Sequence, residues 1–239
     1  MPRFFADCDG GERIALSPED SKHISKALRM RVGESLTVCD GRGTDFECEI
    51  DNAQGDCVVV RVLSQKPSET EADVDITIYQ ALPKSDKMDG IVQRAVELGA
   101  TKIVPMLSER CVSRPDGKAC DSKVKRWNKI ALEAAMQCGR GVIPTVAPVQ
   151  SFKQAIEEMT ADVVIMFYEG GGLPIREMDI KKGHKIAVIV GPEGGFEQSE
   201  VDFAKASGAV IGSLGPRILR TQTASLAAVS AIMFMTENM

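Results

Sequence analysis

The sequence predicts an α/β protein with a doubly wound parallel sheet in its larger, carboxy-terminal part and a small β-barrel at its amino terminus. From residue 74 onward, apolar strand-like runs alternate with segments of helical periodicity, which is typical of strand–helix–strand units. The run at residues 186–190 is apolar at every position, as expected for a strand covered on both faces. Before residue 64, short strand-like segments alternate with turns.

The amino-terminal part is predicted to contain one helix, at residues 18–30, and four strands, at residues 13–16, 35–39, 45–50 and 57–63. Turns at residues 40–43 and 52–55 separate the later strands and predict antiparallel hairpins. Residues 64–73 are polar, contain Pro67 and lack periodicity, which indicates a linker. We therefore expect two domains, residues 1–70 and 71–239.

The carboxy-terminal part is predicted to contain strands at residues 74–82, 102–107, 163–168, 185–190 and 209–214. Helices are predicted at residues 86–98, 122–138, 152–159, 199–207 and 221–236. The first of these helices carries an apolar stripe and ends at Gly99, a residue that readily adopts the left-handed cap conformation.

The composition restricts how the chain could recognise RNA. Aromatic residues make up 5% of the sequence and the net charge is −5, which disfavours both a base-stacking surface and general attraction to phosphates. Two basic runs depart from this average. One contains Lys22, His23, Lys26, Arg29 and Arg31, and the other contains Lys118, Lys123, Lys125, Arg126 and Lys129. Each run is either a nucleic-acid surface or an ordinary solvated helix face.

The cysteines and the apolar segments exclude other classes. Seven cysteines without a C-x-x-C pair favour reduced thiols over a disulfide framework or a zinc site, and neither His23 nor His184 has further ligands near it in the sequence. The start of the chain lacks a basic, then apolar leader, and the apolar segment at residues 226–235 is too short to cross a bilayer. We expect a cytoplasmic protein without a metal or a membrane partner.

Three loops that follow predicted strands carry the candidate chemistry. They are glycine-rich residues 168–172, the Gly-Pro-Glu-Gly-Gly-Phe turn at 191–196, and residues 214–221, which contain two arginines. Ligands of parallel sheets bind beyond the carboxyl ends of the strands, so these loops are candidates for a binding site. Glycine-rich turns leave backbone groups accessible, and arginines at a helix start oppose the helix dipole, which indicates a functional reason for them. An ordinary strand-to-helix turn is the competing interpretation, and the spacing fits neither the dinucleotide fingerprint nor the Walker loop.

Several motifs together resemble one enzyme family. The segments RAVELGATKIVPM at 94–106, EAAMQCGR at 133–140, IVGPEGGF at 189–196 and SLGPRILRTQTA at 213–224 resemble the small-subunit rRNA uridine-N3 methyltransferases of the SPOUT superfamily. The start MPRFF and the stretch at 23–33 are similar to that family's PUA-like RNA-binding domain. The sequence departs from the family at Gln222, where Glu is usual.

This resemblance implies a SPOUT-type sheet with a carboxy-terminal trefoil knot, a homodimer, and a bent S-adenosylmethionine held by the three loops. Its target would be a uridine of 16S rRNA, in the assembled small subunit. The cofactor-binding residues that it implies are Phe167, Tyr168, Glu169, Val190, Gly191, Pro192, Glu193, Gly194, Leu214, Gly215, Ile218 and Leu219.

The chemistry of methyl transfer to uridine N3 suggests roles for further residues. The N3 proton must be lost, so we assign Arg220 to stabilising the uracil anion and Glu193 to orienting or deprotonating the base. Predicted RNA contacts are Arg3, Lys22, His23, Lys26, Arg29 and Arg140. For Arg140, a cation favoured by its own helix dipole is the competing account.

Two other function classes remain open from the sequence. A non-catalytic RNA-binding or ribosome-assembly factor would keep the barrel and the basic run but would not bind S-adenosylmethionine. A nucleotide-dependent oxidoreductase would use the glycine-rich loops, although its fingerprint is missing. Within the methyltransferase class, a tRNA or large-subunit target is the alternative substrate.

Overall fold

The computed structural model describes residues 1–8, 10–53 and 57–239, so the second half of the predicted turn at 52–55 lies outside the described residues. The described chain divides into two compact units. The first unit contains Met1–Glu71 together with Ala135–Ile143. The second contains Ala72–Ala134 and Pro144–Met239. The first unit is therefore built from two separate stretches of the chain.

The first unit is built on a five-stranded sheet with the spatial order β1-β3-β4-β5-β2. Strand β1 runs parallel to β3, and the other neighbours are antiparallel. Side chains from alternate positions form its core, so that Leu36, Val38, Cys48, Ile50 and Val60 are fully buried. The strands are β1 (Arg3–Phe5), β2 (Arg13–Ala15), β3 (Ser35–Cys39), β4 (Thr44–Asn52) and β5 (Val59–Pro67).

The helical segment of this unit is shorter and less regular than predicted. Helix α1 (Pro18–Lys22) begins at Ser17, whose hydroxyl accepts a hydrogen bond from the backbone of Asp20, and it continues as a π-helical segment, His23–Leu28. Arg29 ends this segment in the left-handed conformation, with φ 54°.

Strand β5 occupies part of the predicted linker at 64–73. Its register with β4 extends to the pair Thr44 and Pro67, so residues 64–67 belong to the sheet. This stretch was predicted as a linker because its side chains are polar. They lie at the exposed end of β5, where pairing with β4 extends the strand without burying apolar side chains.

Residues 135–143 are held within the first unit by a nearly buried ion pair. Arg140 Nη2 lies 2.7 Å from Glu71 Oε2, and the Arg140 side chain is only 5% exposed. The Glu71 carboxylate also accepts hydrogen bonds from the backbone amides of Gly141 and Val142, at 2.8 and 3.1 Å. A side chain at Gly141 would collide with Ser68, whose Cβ would lie 2.2 Å from the added Cβ. These contacts fix the loop after residue 138 against the segment that precedes it by about 70 positions.

A second ion pair in this unit uses Arg3. Its guanidinium forms two hydrogen bonds of 2.6 Å with the carboxylate of Asp45, and both side chains are largely buried. The structure thus places Arg3 and Arg140, two predicted RNA contacts, in internal ion pairs. Because a buried guanidinium needs a fixed partner, this placement gives both residues a structural role.

The second unit contains an eight-stranded sheet in which every neighbouring pair is parallel, as predicted. The order is β11-β13-β10-β12-β6-β7-β8, and β9 also pairs with β7. All residues of 186–190 are buried, so this strand is covered on both faces. The strands are β6 (Asp75–Ala81), β7 (Lys102–Leu107), β8 (Thr145–Val146), β9 (Gln150–Ser151), β10 (Val163–Phe167), β11 (Leu173–Pro174), β12 (Lys185–Val190) and β13 (Val210–Ser213).

The remaining helices follow the predicted order with one displaced boundary. Helix α3 begins at Gly117 rather than at 122 because the Asp116 carboxylate accepts a hydrogen bond from the backbone of Ala119, which caps the helix start. The helices are α2 (Lys87–Glu97), α3 (Gly117–Cys138), α4 (Phe152–Glu157), α5 (Gln198–Ala206) and α6 (Thr221–Met235), with one 3₁₀ turn at Ile175–Glu177.

Replacing Arg140 tests the structural role of its ion pair. We expect Arg140→Met to lower the free energy of unfolding by about 3 kcal/mol, since it leaves the Glu71 carboxylate with no cation in a poorly solvated site. The matched control is Arg61→Met, which breaks the half-exposed pair of Arg61 with Glu49 and should cost at most about 1 kcal/mol. Urea denaturation of both variants measures the difference, and equal effects would contradict the assignment.

Candidate active site

Three neighbouring strands of the parallel sheet end at the same edge. In the register of the sheet, Phe167 at the end of β10 pairs with Val190 on one side and with Gly212 on the other. The loops that follow these strands are residues 168–172 and 191–197, which are rich in glycine, and residues 214–220, which contain two arginines. They therefore emerge beside one another, at the carboxyl ends where ligands of parallel sheets bind.

These three loops enclose a cavity of about 570 Å³, within the size range of small-molecule sites. The structure brings all twelve residues of the predicted cofactor set to its wall, together with Arg220. Several other wall residues lie in the motifs that the sequence pointed to but were not assigned individual binding roles, among them Phe196, Ser213, Arg217, Thr221 and Ala224.

Glycine allows the loops to approach one another closely. Gly195 has φ +69°, and a Cβ added there would lie 2.2 Å from Glu169 Oε1 of the neighbouring loop. A Cβ at Gly172 would lie 2.4 Å from the backbone oxygen of Ile211. A larger residue at Gly172 would force the backbone of its loop away from β13, whereas at Gly195 the positive φ favours glycine and a larger residue would displace the Glu169 side chain.

Glu193 is held in place by cationic and backbone donors from another part of the unit. Its carboxylate lies 2.6 Å from Lys87 Nζ and also accepts a hydrogen bond of 3.2 Å from the backbone amide of Lys84. Partial burial alone would raise the pKa of Glu193, but the hydrogen bonds from Lys87 and the backbone lower it below the ordinary value. Glu193 is thus an ionised, paired carboxylate and a weak proton acceptor.

Arg110 anchors the other end of the same loop. Its guanidinium donates to Glu197 Oε1 at 2.8 Å and to the carbonyl oxygen of Gly194 at 2.9 Å. Glu200 adds a buried link, because its carboxylate accepts hydrogen bonds from the backbone amides of both Glu109 and Glu197. The loop at 191–197 is therefore tied to the segment after β7 at several points.

The two arginines of the last loop have no such partners. Arg217 and Arg220 are exposed and line the cavity, and neither side chain forms a hydrogen bond or ion pair with residues 1–8, 10–53 or 57–239. Gln222 is half-buried in the first turn of α6, at the position where the methyltransferase family that the sequence resembles usually has Glu. The cavity thus has two cations available for an anionic or polar ligand.

The basic run of the first unit forms an exposed surface. Lys22, His23, Lys26 and Arg29 are all exposed along α1 and the π-helical segment, and Arg31 follows them. His23 packs edge-on against Phe4, with ring centroids 6.0 Å apart. The four predicted contacts in this stretch therefore lie at the surface, whereas Arg3 and Arg140 do not.

Two negative findings concern the described residues. They contain no group of three or more His, Cys, Asp or Glu side chains arranged to hold a metal ion. None of the helices in the same part of the chain is long and apolar enough to cross a membrane. His184 has its Nδ1 atom buried without a hydrogen-bond partner among the described residues, and it belongs to no such metal-binding group there.

Sequence models of known families match both parts of the chain. The model of an RNA methyltransferase domain matches residues 70–233, and the model of an RNA methyltransferase PUA domain matches residues 16–63. The ribosomal RNA small subunit methyltransferase E of Bacillus subtilis is 34% identical, covering 99% of this chain and 98% of the relative. The protein of the same name from Mycobacterium bovis is 30% identical, covering 98% of this chain and 92% of the relative.

Solved structures agree with the sequence matches. The crystal structure of a ribosomal RNA small subunit methyltransferase E from Neisseria gonorrhoeae bound to S-adenosyl methionine has a TM-score of 0.91 and 29% identity, covering 99% of this chain and 98% of that chain. A methyltransferase from Legionella pneumophila, in complex with the bound cofactor SAM, has a TM-score of 0.90 and 30% identity, with the same coverage. The resemblance inferred from the motifs is confirmed, and the chain belongs to the RNA methyltransferase family that includes the ribosomal RNA small subunit methyltransferases E.

Proposed function

We propose that this protein uses S-adenosylmethionine to methylate N3 of a uridine in 16S rRNA of the small ribosomal subunit. The cavity formed by the three loops carries the proposal, because relatives that share the fold over 99% of this chain are solved with S-adenosylmethionine bound. When bound, this cofactor supplies the methyl group.

The residues of the cavity fit such a cofactor. Gly191, Gly194 and Gly215 line the cavity without side chains, so backbone groups are accessible there to match the donor and acceptor edge of adenine. Leu214, Ile218 and Leu219 add apolar surface. The Ile218 side chain is 86% exposed, and contact with a bound molecule would cover it.

Arg220 is the proposed catalytic residue. Its exposed guanidinium has no partner among the described residues and lies in the cavity wall, where it can donate hydrogen bonds to the oxygens of uracil. Loss of the N3 proton leaves negative charge on these oxygens, so a fixed cation stabilises the form that attacks the methyl group. Glu193 serves to orient the loop through Lys87 rather than to accept the proton.

The first unit is proposed to bind rRNA through its exposed basic surface. Lys22, His23, Lys26 and Arg29 form this surface, and Arg31 extends it. We assign RNA binding to residues 1–70 and methyl transfer to residues 71–239. We expect this surface to contact phosphates rather than bases, because it consists of cationic side chains and its one aromatic ring is the imidazole of His23.

The finer parts of the proposal concern assembly and target. We propose a homodimer, a trefoil knot in the carboxy-terminal segments, action in the cytoplasm and the assembled small subunit as substrate. Exposed apolar side chains in the second unit, Leu173, Val210 and Phe234, supply surface that a second copy would cover.

Neutralising Glu193 tests its role as an ionised, paired group. We expect Glu193→Gln to lower the free energy of unfolding at pH 7 by about 1–2 kcal/mol, because the hydrogen bonds to the charged carboxylate are lost. The folded-state pKa lies below the ordinary value of 4.5, so the contribution is present above that pH and disappears as the pH falls through the folded-state pKa. Denaturant unfolding from pH 7 to pH 3 measures this trend. Glu177→Gln, which alters an exposed pair with Arg176, is the control and should show no comparable trend.

Removing positive charge from the basic surface tests the RNA-binding role. The double variant Lys26→Gln, Arg29→Gln should weaken binding to 16S rRNA and reduce the slope of log affinity against log salt by roughly 1.5. The control is Arg13→Gln, Arg61→Gln, which removes the same charge from exposed residues of this unit that pair with Asp51 and Glu49. If both double variants change the slope equally, the surface has no special role.

Replacing Arg220 tests the proposed reaction. Assays with S-adenosylmethionine and small subunits, followed by mass spectrometry of nucleosides, should detect N3-methyluridine formed by the unaltered protein. Arg220→Ala should lower kcat by about 100-fold or more, while cofactor affinity and thermal stability stay near their original values. Arg176→Ala, which removes another exposed arginine of the second unit, should retain full activity. A normal kcat for Arg220→Ala would refute its catalytic role, and absence of N3-methyluridine with the unaltered protein would refute the proposed function.

A further inference from the structure

A chain of buried polar side chains lies behind the cavity wall. Gln80 and Ser225 are completely buried and Thr221 is nearly so. Gln80 lies on β6, whereas Thr221 and Ser225 lie one turn apart on α6. Buried polar groups are costly unless all of their hydrogen bonds are formed, so such a group in the centre of a parallel sheet calls for an explanation.

The hydrogen bonds among these buried side chains all run from Ser225 through Gln80 and Thr221 to Gly191. Gln80 Nε2 donates to the Ala81 carbonyl at 2.9 Å and to Thr221 Oγ1 at 3.0 Å. A carbonyl oxygen only accepts, which fixes the orientation of the Gln80 amide and leaves its oxygen to accept from the Ser225 hydroxyl. Thr221 accepts from Gln80, so its single proton goes to the carbonyl oxygen of Gly191, 2.6 Å away.

The last bond joins two loops of the candidate site. Gly191 is the first residue after β12, Thr221 is the first residue of α6, and both line the cavity. Gly191 is enclosed on another side by Phe196, because an added Cβ would lie 3.0 Å from its ring. The Thr221 hydroxyl therefore holds the carbonyl of one loop at the start of the other.

The Thr221 hydroxyl does not serve its own helix. Helix α6 has no side-chain cap at Arg220, and the neighbouring hydroxyl bonds to Gly191, 30 positions earlier in the chain. A residue needed only for helix formation would instead bond to the free amides of the first turn. The bond from Thr221 to Gly191 therefore indicates that the hydroxyl sets the spacing of the two loops rather than stabilising helix α6.

We propose that Thr221, oriented by Gln80 and Ser225, is a positioning residue that sets the separation of the loops at 191–195 and 214–220, and with it the affinity for S-adenosylmethionine. The inference rests on the proposed function. Without the hydroxyl, the Gly191 carbonyl and Gln80 Nε2 would each lose a buried partner, and the loops would have to separate for water to reach them.

The test compares Thr221→Val with Thr221→Ser and with a matched control on the same helix. Valine keeps the shape but removes the hydroxyl, and serine restores it. Thr236→Val removes another buried hydroxyl, which bonds locally to Ile232 at the far end of α6. Calorimetric titration gives the Kd for S-adenosylmethionine, and kinetics give kcat and the KM of each substrate.

We expect Thr221→Val to raise the Kd and KM for S-adenosylmethionine roughly tenfold while the KM for rRNA changes less than about twofold. Thr221→Ser should stay within about threefold of the unaltered protein, and Thr236→Val should bind the cofactor normally even if its Tm falls. Ser225→Ala, which keeps the bond between Thr221 and Gly191, should have an intermediate Kd and supplies the test if Thr221→Val fails to fold.

Different results refute different claims. Unaltered protein that binds no S-adenosylmethionine would overturn the proposed function and the inference with it. Normal cofactor affinity in Thr221→Val, or an equal loss in Thr236→Val, would overturn the positioning role alone. If Thr221→Val is unfolded and Ser225→Ala binds the cofactor normally, the positioning role is also overturned.

Discussion

The candidate site depends on the parallel alignment of three adjacent strands, β12, β10 and β13. Their shared register ends at Phe167, with Val190 and Gly212 beside it. Neighbouring strands lie about 4.8 Å apart, so the loops after the two outer strands start about 10 Å apart. The loop after β10 lies between them, and the three loops together form the wall of the cavity. A change of register by one residue would turn the side chains of the shifted strand to the other face and displace the start of its loop.

The arginines named as candidate RNA or substrate contacts differ in burial. Arg3 and Arg140 are largely buried, and each has a fixed acidic partner. Arg217 and Arg220 are exposed and have no partner within the described residues. A cation removed from water needs an anion beside it, whereas an exposed cation can exchange its water for a phosphate or a base. The net charge of −5 therefore does not describe the surfaces that would meet RNA.

The parts of the fold that were predictable are those encoded by local patterns. Unbroken apolar runs gave the parallel sheet, and glycine-rich turns gave the loops around the cavity. The short strands β1, β8, β9 and β11 were missed because their two or three residues carry no period and exist only through distant partners. The role of Arg140 was hidden for the same reason, since its charge is visible in the sequence but its pairing with Glu71 is not. Thr221 carried no signal, because a threonine at a helix start is ordinarily a cap.

The electrostatics of the cavity favour one account of the reaction over another. A general base must have a pKa near the working pH, but the hydrogen bonds from Lys87 and the backbone lower the pKa of Glu193. The Glu193 carboxylate therefore serves to hold its loop in place, because taking up a proton would weaken the hydrogen bonds that fix the loop. In the proposed reaction, Arg220 would gain interaction energy as uracil becomes an anion, so it would favour loss of the N3 proton without receiving it. In the proposed enzyme, a fixed positive charge would thus make the acceptor nucleophilic without a carboxylate as general base.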